Sequence, residues 1–409
     1  MSKTRPSRRS LLLALMLSLT FSPCVNTKVD PQSNRIRLML IGECTRYQPY
    51  FVTLIPTDPK IDLVAVITAG DLATPKETKR YLRVFMPRTR DRFLQGLDVV
   101  ELFDFVPWVL ESRHIEWIHE AVKDHGFGMV LVEMGWYPSY AGGHTSNDPE
   151  AWMSTVLYQA YPVDLIVGRQ NRPSSYFEIV QETPVVSMPG FEKTRLGGVA
   201  GLTIPRPGST VHARYRVGKE AAIVSARYGQ GVTLTLPTGW DVIALDVQRN
   251  WKYFVDFVLN HIYFVADVPV PEDPELAHSV RALLGSYIEQ KSLTVSFIDF
   301  IERFGANTLP LQKKLAELDE EKKEAERLYL ESRYEDSRDA IASVIAQFVE
   351  MEEESVRIRK RALMWIYITE WIAVTGTSLL CTFILWTLMV KKRLYREVET
   401  TRLYGRWDR

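Results

Sequence analysis

Between residues 35 and 132 the chain alternates short apolar runs with stretches whose apolar residues recur every three or four positions. Residues 35–41, 63–67, 99–103 and 129–132 are of the first kind, and strands buried on both faces read this way. Residues 47–55 and 112–124 are of the second kind. In the latter, Ile115, Ile118, Ala121 and Val122 share one helical face, and Gly126 and Gly128 end it. A basic helical patch lies around residues 88–95. Strands alternating with helices predict an α/β domain with a mainly parallel sheet and right-handed crossovers.

The pattern changes after about Ser187. Residues 211–215, 222–227 and 232–236 are β-rich runs separated by glycine-containing turns, and Tyr228-Gly229-Gln230-Gly231 reads as a hairpin turn. Residues 247–265 predict a helix that carries Trp251, Phe254, Val255, Phe257, Val258 and Ile262 at helical spacing, packed on the sheet.

From Glu275 the chain turns charged and helical. Residues 280–304 predict one or two short helices ending near Gly305 and Pro310, and Leu311, Leu315 and Leu318 follow at coiled-coil spacing. Residues 325–348 resemble a single tetratricopeptide-like helix pair turning near Ser332 and Arg333, one unit where a solenoid needs about three. Ile341, Ile345, Phe348 and Met351 form the expected buried stripe, either of a helical hairpin or of a dimer contact.

The ends of the sequence carry targeting signals. Lys3, Arg5, Arg8 and Arg9 precede an apolar stretch at 11–21, which is too short to cross about 30 Å of hydrocarbon and reads as a signal peptide within residues 1–27. Cleavage, retention as an anchor and lipidation at Cys24 are the three fates such a stretch allows. Residues 363–390 form a second apolar run, uninterrupted from Trp371, with Trp365, Tyr367, Trp371 and Trp386 at the interfacial levels. Lys391, Lys392 and Arg393 stop it. With Arg396, Arg402, Arg406 and Arg409 the tail carries seven cations, against four in the flanking Arg357, Arg359, Lys360 and Arg361. The positive-inside rule then predicts a single transmembrane helix in the cell membrane, the body extracytoplasmic and residues 391–409 cytoplasmic. One continuous helix from about Tyr334 into the span is expected.

Composition excludes some classes. Lys plus Arg and Asp plus Glu both number 50, so a nucleic-acid partner is not expected. Of three cysteines only Cys44 lies in the body, which leaves no internal disulfide and no Cys/His zinc cluster. His114, His119, His125, His212, His261 and His278 are scattered and predict no metal set, and nothing calls for a cofactor.

The segments LMLIGECTRYQPYFVTLIPTDPKIDLVAVITAGD, GFGMVLVEMGWYPSYAGG, ARYGQGVTLTLPTGWD and NWKYFVDFVLNHIYFVAD together resemble the glutamine-amidotransferase-like proteins related to the ThuA group, over residues 36–267. The resemblance implies a flavodoxin-like sheet at 35–270, with its ligand-facing edge at the strand C-termini. Class I amidotransferases use a cysteine on a sharp strand-to-helix turn, and this chain has no G-x-C-x-G. Cys44 follows the first strand and adjoins Glu43, whose charge disfavours a thiolate. A non-catalytic domain is therefore expected. Glu43, Tyr47, Glu133, Trp136, Tyr137, His144, Trp240 and Asp241 are the candidate ligand-binding residues, suited to a sugar or other small polar molecule. The rival reading is an extracytoplasmic hydrolase or sugar-modifying enzyme that uses Glu133 and His144 for acid/base work. The expected partners are the lipid bilayer, and a protein or second copy bound through the helical segment at 275–362.

Overall fold

The computed structural model describes residues 33–42, 55–68, 75–103, 107–132, 149–166, 176–194, 203–236, 251–303 and 307–404. The chain is α/β followed by helices. Its elements are β1 (Ile36–Gly42), β2 (Ile61–Ile67), α1 (Pro75–Phe85), α2 (Arg90–Gly96), β3 (Val99–Phe103), α3 (Ser112–His125), β4 (Gly128–Val132) and α4 (Pro149–Met153). Then come β5 (Val163–Leu165), β6 (Phe177–Ile179), β7 (Thr203–Pro205), β8 (Thr210–Tyr215), β9 (Ala221–Tyr228) and β10 (Gly231–Leu236). The last elements are α5 (Phe254–Val265), α6 (Pro274–Glu302), α7 (Leu309–Leu330) and α8 (Tyr334–Tyr404). They group into two compact units, residues 1–282 with 328–334, and residues 283–327 with 335–409.

In the first unit an eight-stranded sheet runs in the order β2-β1-β3-β4-β10-β9-β8-β6. The pairings from β2 through β10 are parallel, and those from β10 through β6 are antiparallel. β1 shows why its run is almost wholly apolar: both faces are covered. Ile36, Leu38 and Leu40 pack in one cluster with Phe254, Phe257 and Ile262 of α5. Met39 and Ile41 pack in the other with Ile115, Ile118 and Val122 of α3 and Phe93 of α2. The expected hairpin is present between β9 and β10, with Gly231 opposite Tyr228. Gly229 takes φ 59°, the left-handed value that a type II′ turn assigns to its first central residue. Its Cα faces the Lys123 carbonyl so closely that no side chain would fit. The next amide, on Gln230, donates to that carbonyl at 2.8 Å and ties the hairpin to the end of α3.

Two helices differ from expectation. The helix expected over 247–265 is described from residue 251 onward and begins at Phe254. Trp251 is held outside it because its indole N–H donates to the Pro189 carbonyl at 2.7 Å. The one or two short helices expected over 280–304 are a single helix of 29 residues, α6. Asp273 Oδ1 accepts from the amides of Glu275 and Leu276 at 3.0 Å, with Pro274 in the first turn, so the helix starts earlier than its apolar pattern indicated. Buried Ala277, Val280, Leu284 and Tyr287 carry it through Gly285.

The turn between α7 and α8 falls at Ser332, where it was expected. Ser332 takes φ 62°, and the amides of Ser332 and Arg333 return to the carbonyls of Tyr329 and Leu328. This is a Schellman closure with serine at the position that usually holds glycine. Ser332→Gly is expected to raise stability by about 1 kcal/mol, because an L side chain is strained at positive φ; a higher urea midpoint in detergent checks it.

The second unit packs helices at heptad spacing. Leu311, Leu315, Leu318 and Ala325 of α7 are buried, as are Ile341, Val344, Phe348 and Met351 of α8. The α8 stripe thus passes through Val344, and Ile345, which sequence placed in it, is only half-buried at its flank. The 3-4-3 spacing of the observed set explains the choice. Asp319 of α7 joins that helix to α6 by accepting from Tyr287 Oη and from Lys291 Nζ at 2.5 and 2.6 Å. α8 then continues unbroken for 71 residues, so the continuous helix expected from Tyr334 is observed. Its portion Arg359–Tyr395 is the one helix among the described residues that is long and apolar enough to cross a membrane, and none of its most apolar stretch is buried.

Candidate functional site

Register places five strand ends in one row. Ile67, Gly42, Phe103, Val132 and Leu236 are successive partners across β2, β1, β3, β4 and β10. In an open α/β sheet this C-terminal edge is where ligands bind, at the point where strand order reverses. Here the reversal falls between β1 and β3. Gly42, at that point, takes φ 139°, and a Cβ on it would fall on the Phe103 carbonyl. Only glycine lets the two strand ends approach this closely.

All eight sequence candidates, Glu43, Tyr47, Glu133, Trp136, Tyr137, His144, Trp240 and Asp241, lie outside the described residues. Glu43 and Glu133 are the residues bonded directly to Gly42 and Val132. One carboxylate near this edge escaped the sequence reading. Glu101, in the middle of β3, is 1% exposed and stands opposite Leu40 and Val130, one side-chain row below the strand ends. The signal was a lone charge within the apolar run VVELF. A carboxylate is retained at such depth only when its charge is satisfied.

A second polar cluster lies at the opposite edge, where β2 begins. Arg281 of α6 donates through Nη1 to Asp256 Oδ1 at 2.6 Å and through Nε to Asp58 Oδ2 at 3.0 Å. Tyr263 Oη and Tyr329 Oη each donate to Asp58 Oδ2 at 2.9 Å, and the Lys60 amide donates to Asp58 Oδ1 at 2.8 Å. His278 Nδ1 lies 2.7 Å from the other Asp256 oxygen. Burial works against the Arg281 charge, yet Tyr329, Asp58, Tyr263 and Asp256 outweigh it and hold its pKa well above the ordinary value. Burial lowers the Lys60 pKa, with Asp58 opposing and Arg281 adding to the effect. Charge is balanced, at two cations for two carboxylates. Asp58, Asp256, Tyr263 and Tyr329 are at most 1% exposed, so no substrate reaches them. The cluster is structural: it fixes the start of α6 and the end of α7 beneath the sheet.

Ser225 and His212 form a third group, beside a cavity of about 640 Å³ lined by Pro184, Thr210, Ser225, Arg227, Phe264 and Asp267 among others. Ser225 Oγ lies 2.7 Å from His212 Nε2, and Thr183 Oγ1 lies 2.7 Å from His212 Nδ1. The spacing imitates a nucleophile and its base, but the chemistry does not follow. Burial depresses the His212 pKa to about 4, which makes a poor base. A hydroxyl stands where a carboxylate would orient and charge-stabilise the ring. Ser225 also sits within β9, between β8 and β10, rather than on an exposed turn with free amides for an oxyanion.

His261, packed edge-on against Phe257, is depressed further, to about 3, by burial and then by His212. Both histidines are thus neutral when folded and take up protons on unfolding below about pH 6.5. Their contribution is complete above that value and is lost as pH falls toward 4. Stability is expected to fall by up to about 1.4 kcal/mol per pH unit for each histidine between about pH 6 and 4. Urea titrations at pH 7, 6 and 5 check this, and His212→Gln should make the slope shallower.

No protein-family model matches the chain, and no curated protein matches its sequence. Among solved structures it is similar to Cytoplasmic Protein STM3548 from Salmonella typhimurium, at 18% identity over 56% of this chain and 99% of that one, with TM-score 0.43. It is also similar to Cytoplasmic Protein STM1381 from Salmonella typhimurium LT2, at 15% identity over 56% and 99%, with TM-score 0.43. A third is the exo-β-1,4-mannosidase Op5Man5 from Opitutaceae bacterium strain TAV5, at 8% identity over 64% of this chain and 38% of that one, with TM-score 0.30. Likeness at this level carries no functional argument.

Proposed function

We propose that this chain is a single-pass membrane protein whose glutamine-amidotransferase-like domain is extracytoplasmic and binds a small polar ligand or a protein partner without catalysis. The observation that carries the reading is the apolar portion of α8, which leaves Trp371, Leu379, Leu385 and Met389 between 59% and 71% exposed. In water that surface would be an aggregation liability; in lipid it is the required one. The hydroxyls of Thr369, Thr375, Thr377, Thr382 and Thr387 each donate to a carbonyl three or four residues back, so they need no water. Lys391, Lys392 and Arg393 close the span on the cytoplasmic side.

The flavodoxin-like assignment is supported by the parallel strand order β2-β1-β3-β4-β10, which follows the 2-1-3-4-5 arrangement. That arrangement directs the ligand to the edge where Glu43 and Glu133 begin their segments. The test is turnover of glutamine and of aryl glycosides by the purified full chain. We expect no rate above that of the Glu133→Gln protein. Turnover that Glu133→Gln or His144→Ala abolishes would replace this reading with the enzymatic one.

A further inference from the structure

We propose that Arg357, Arg359, Lys360 and Arg361 form a collar that binds the anionic headgroups of the membrane surface facing the α/β domain; this rests on the membrane reading above. All four are exposed on α8. At about 100° per residue they point in directions of roughly 0°, 200°, 300° and 40°, around the helix rather than along one stripe. A folded protein partner approaches from one side, and a free phosphate needs converging donors. A ring of lipid headgroups surrounds the helix, and a charge distribution of this kind fits it.

Height along the helix agrees. The apolar run at 363–390 is about 42 Å long at 1.5 Å per residue. A bilayer with its headgroups measures about 40–45 Å. Arg361 and Lys391 therefore bracket the run at the two headgroup levels, and the other collar residues rise within about one Debye length of the surface, roughly 8 Å.

The collar charges also lack helical neighbours of opposite sign. Arg359, Lys360 and Arg361 have no Asp or Glu three or four residues away in either direction, and only Arg357 does, at Glu353 and Glu354. α7 is built differently: Lys322 pairs with Glu326, Lys323 with Glu320 at 2.7 Å and Arg327 with Glu324 at 2.5 Å. Arg359 does lie over the Phe297 ring, 5.7 Å from its centroid, a contact that leaves its positive charge unneutralised.

The test reconstitutes the full chain in vesicles of phosphatidylcholine and phosphatidylglycerol. Spin-labelled forms of each lipid then report which one is held at the protein. Phosphatidylglycerol should be enriched at low salt, and the enrichment should collapse near 1 M salt, where the Debye length is about 3 Å. Changing the four collar residues to Gln should remove more than about half of it. Changing them all to Lys should preserve it, which separates charge from fold. Changing Lys391, Lys392 and Arg393 to Gln should leave the collar's share. Unchanged enrichment in the Gln collar protein, or its complete loss in the tail protein, would overturn the proposal. A chain that fails to float with vesicles after an alkaline wash would overturn the membrane reading together with the collar.

Discussion

Arg281→Met is expected to destabilise the α/β domain by about 3–5 kcal/mol, because it leaves two buried carboxylates without their shared cation. Asp58 and Asp256 are 0% and 1% exposed, so neither can recover its lost partner from water. Lys60 has its ammonium near Asp58, but burial already disfavours its charge and limits what it can replace. The loss should appear as a lower urea midpoint with little change in slope. Adding Asp256→Asn and Asp58→Asn to Arg281→Met should recover much of it, since no carboxylate then stays buried without its cation, and burial already disfavours the charge left on Lys60. If the single variant were near wild type, the cluster would not fix the start of α6 and the end of α7 as described.

Leu379→Lys combined with Leu380→Lys is expected to release the protein from membranes. The two positions lie near the middle of the apolar run and are 71% and 63% exposed. Each lysine at a helix centre costs about 2.5–3.5 kcal/mol on insertion scales, so the pair removes much of the drive to insert. Wild-type protein should resist extraction with alkaline carbonate, whereas the double variant should pass into the soluble fraction. Leu379→Ile with Leu380→Ile should behave as wild type. Equal extraction of all three would mean that the exposed apolar face of α8 is covered by protein instead of lipid.

Much of this architecture was legible in the sequence, for reasons visible in particular elements. β3 was found because both faces are buried and all its positions but Glu101 are apolar, and β10 because its Val, Thr and Leu residues favour a strand beside a glycine turn. The β9–β10 turn was found because Gly229 is required by its backbone conformation, and the α7–α8 turn because the apolar period breaks at Ser332. Contacts distant in sequence were not legible. Asp58 and Arg281 are 223 residues apart, and neither sits in a pattern that announces the other. The start of α5 was misplaced because Trp251 fits the helical stripe yet is drawn away by the Pro189 carbonyl. Val344 and Ile345 are both apolar, and only the packing partners select between them. At the candidate site the edge was legible from strand alternation, and its eight side chains lie outside the described residues. Glu101 was passed over because the run around it was read as a whole.

The central claim is that α8 crosses a membrane once, with the α/β domain on one side and the basic segment on the other. Protease protection in sealed vesicles of known orientation tests it most directly, using the full chain with an epitope after Arg409. With the domain's side exposed to protease, the account predicts a protected fragment that begins near the collar and carries the epitope, about 6–7 kDa plus the mass of the epitope. A chain digested completely in intact vesicles, epitope included, would contradict it.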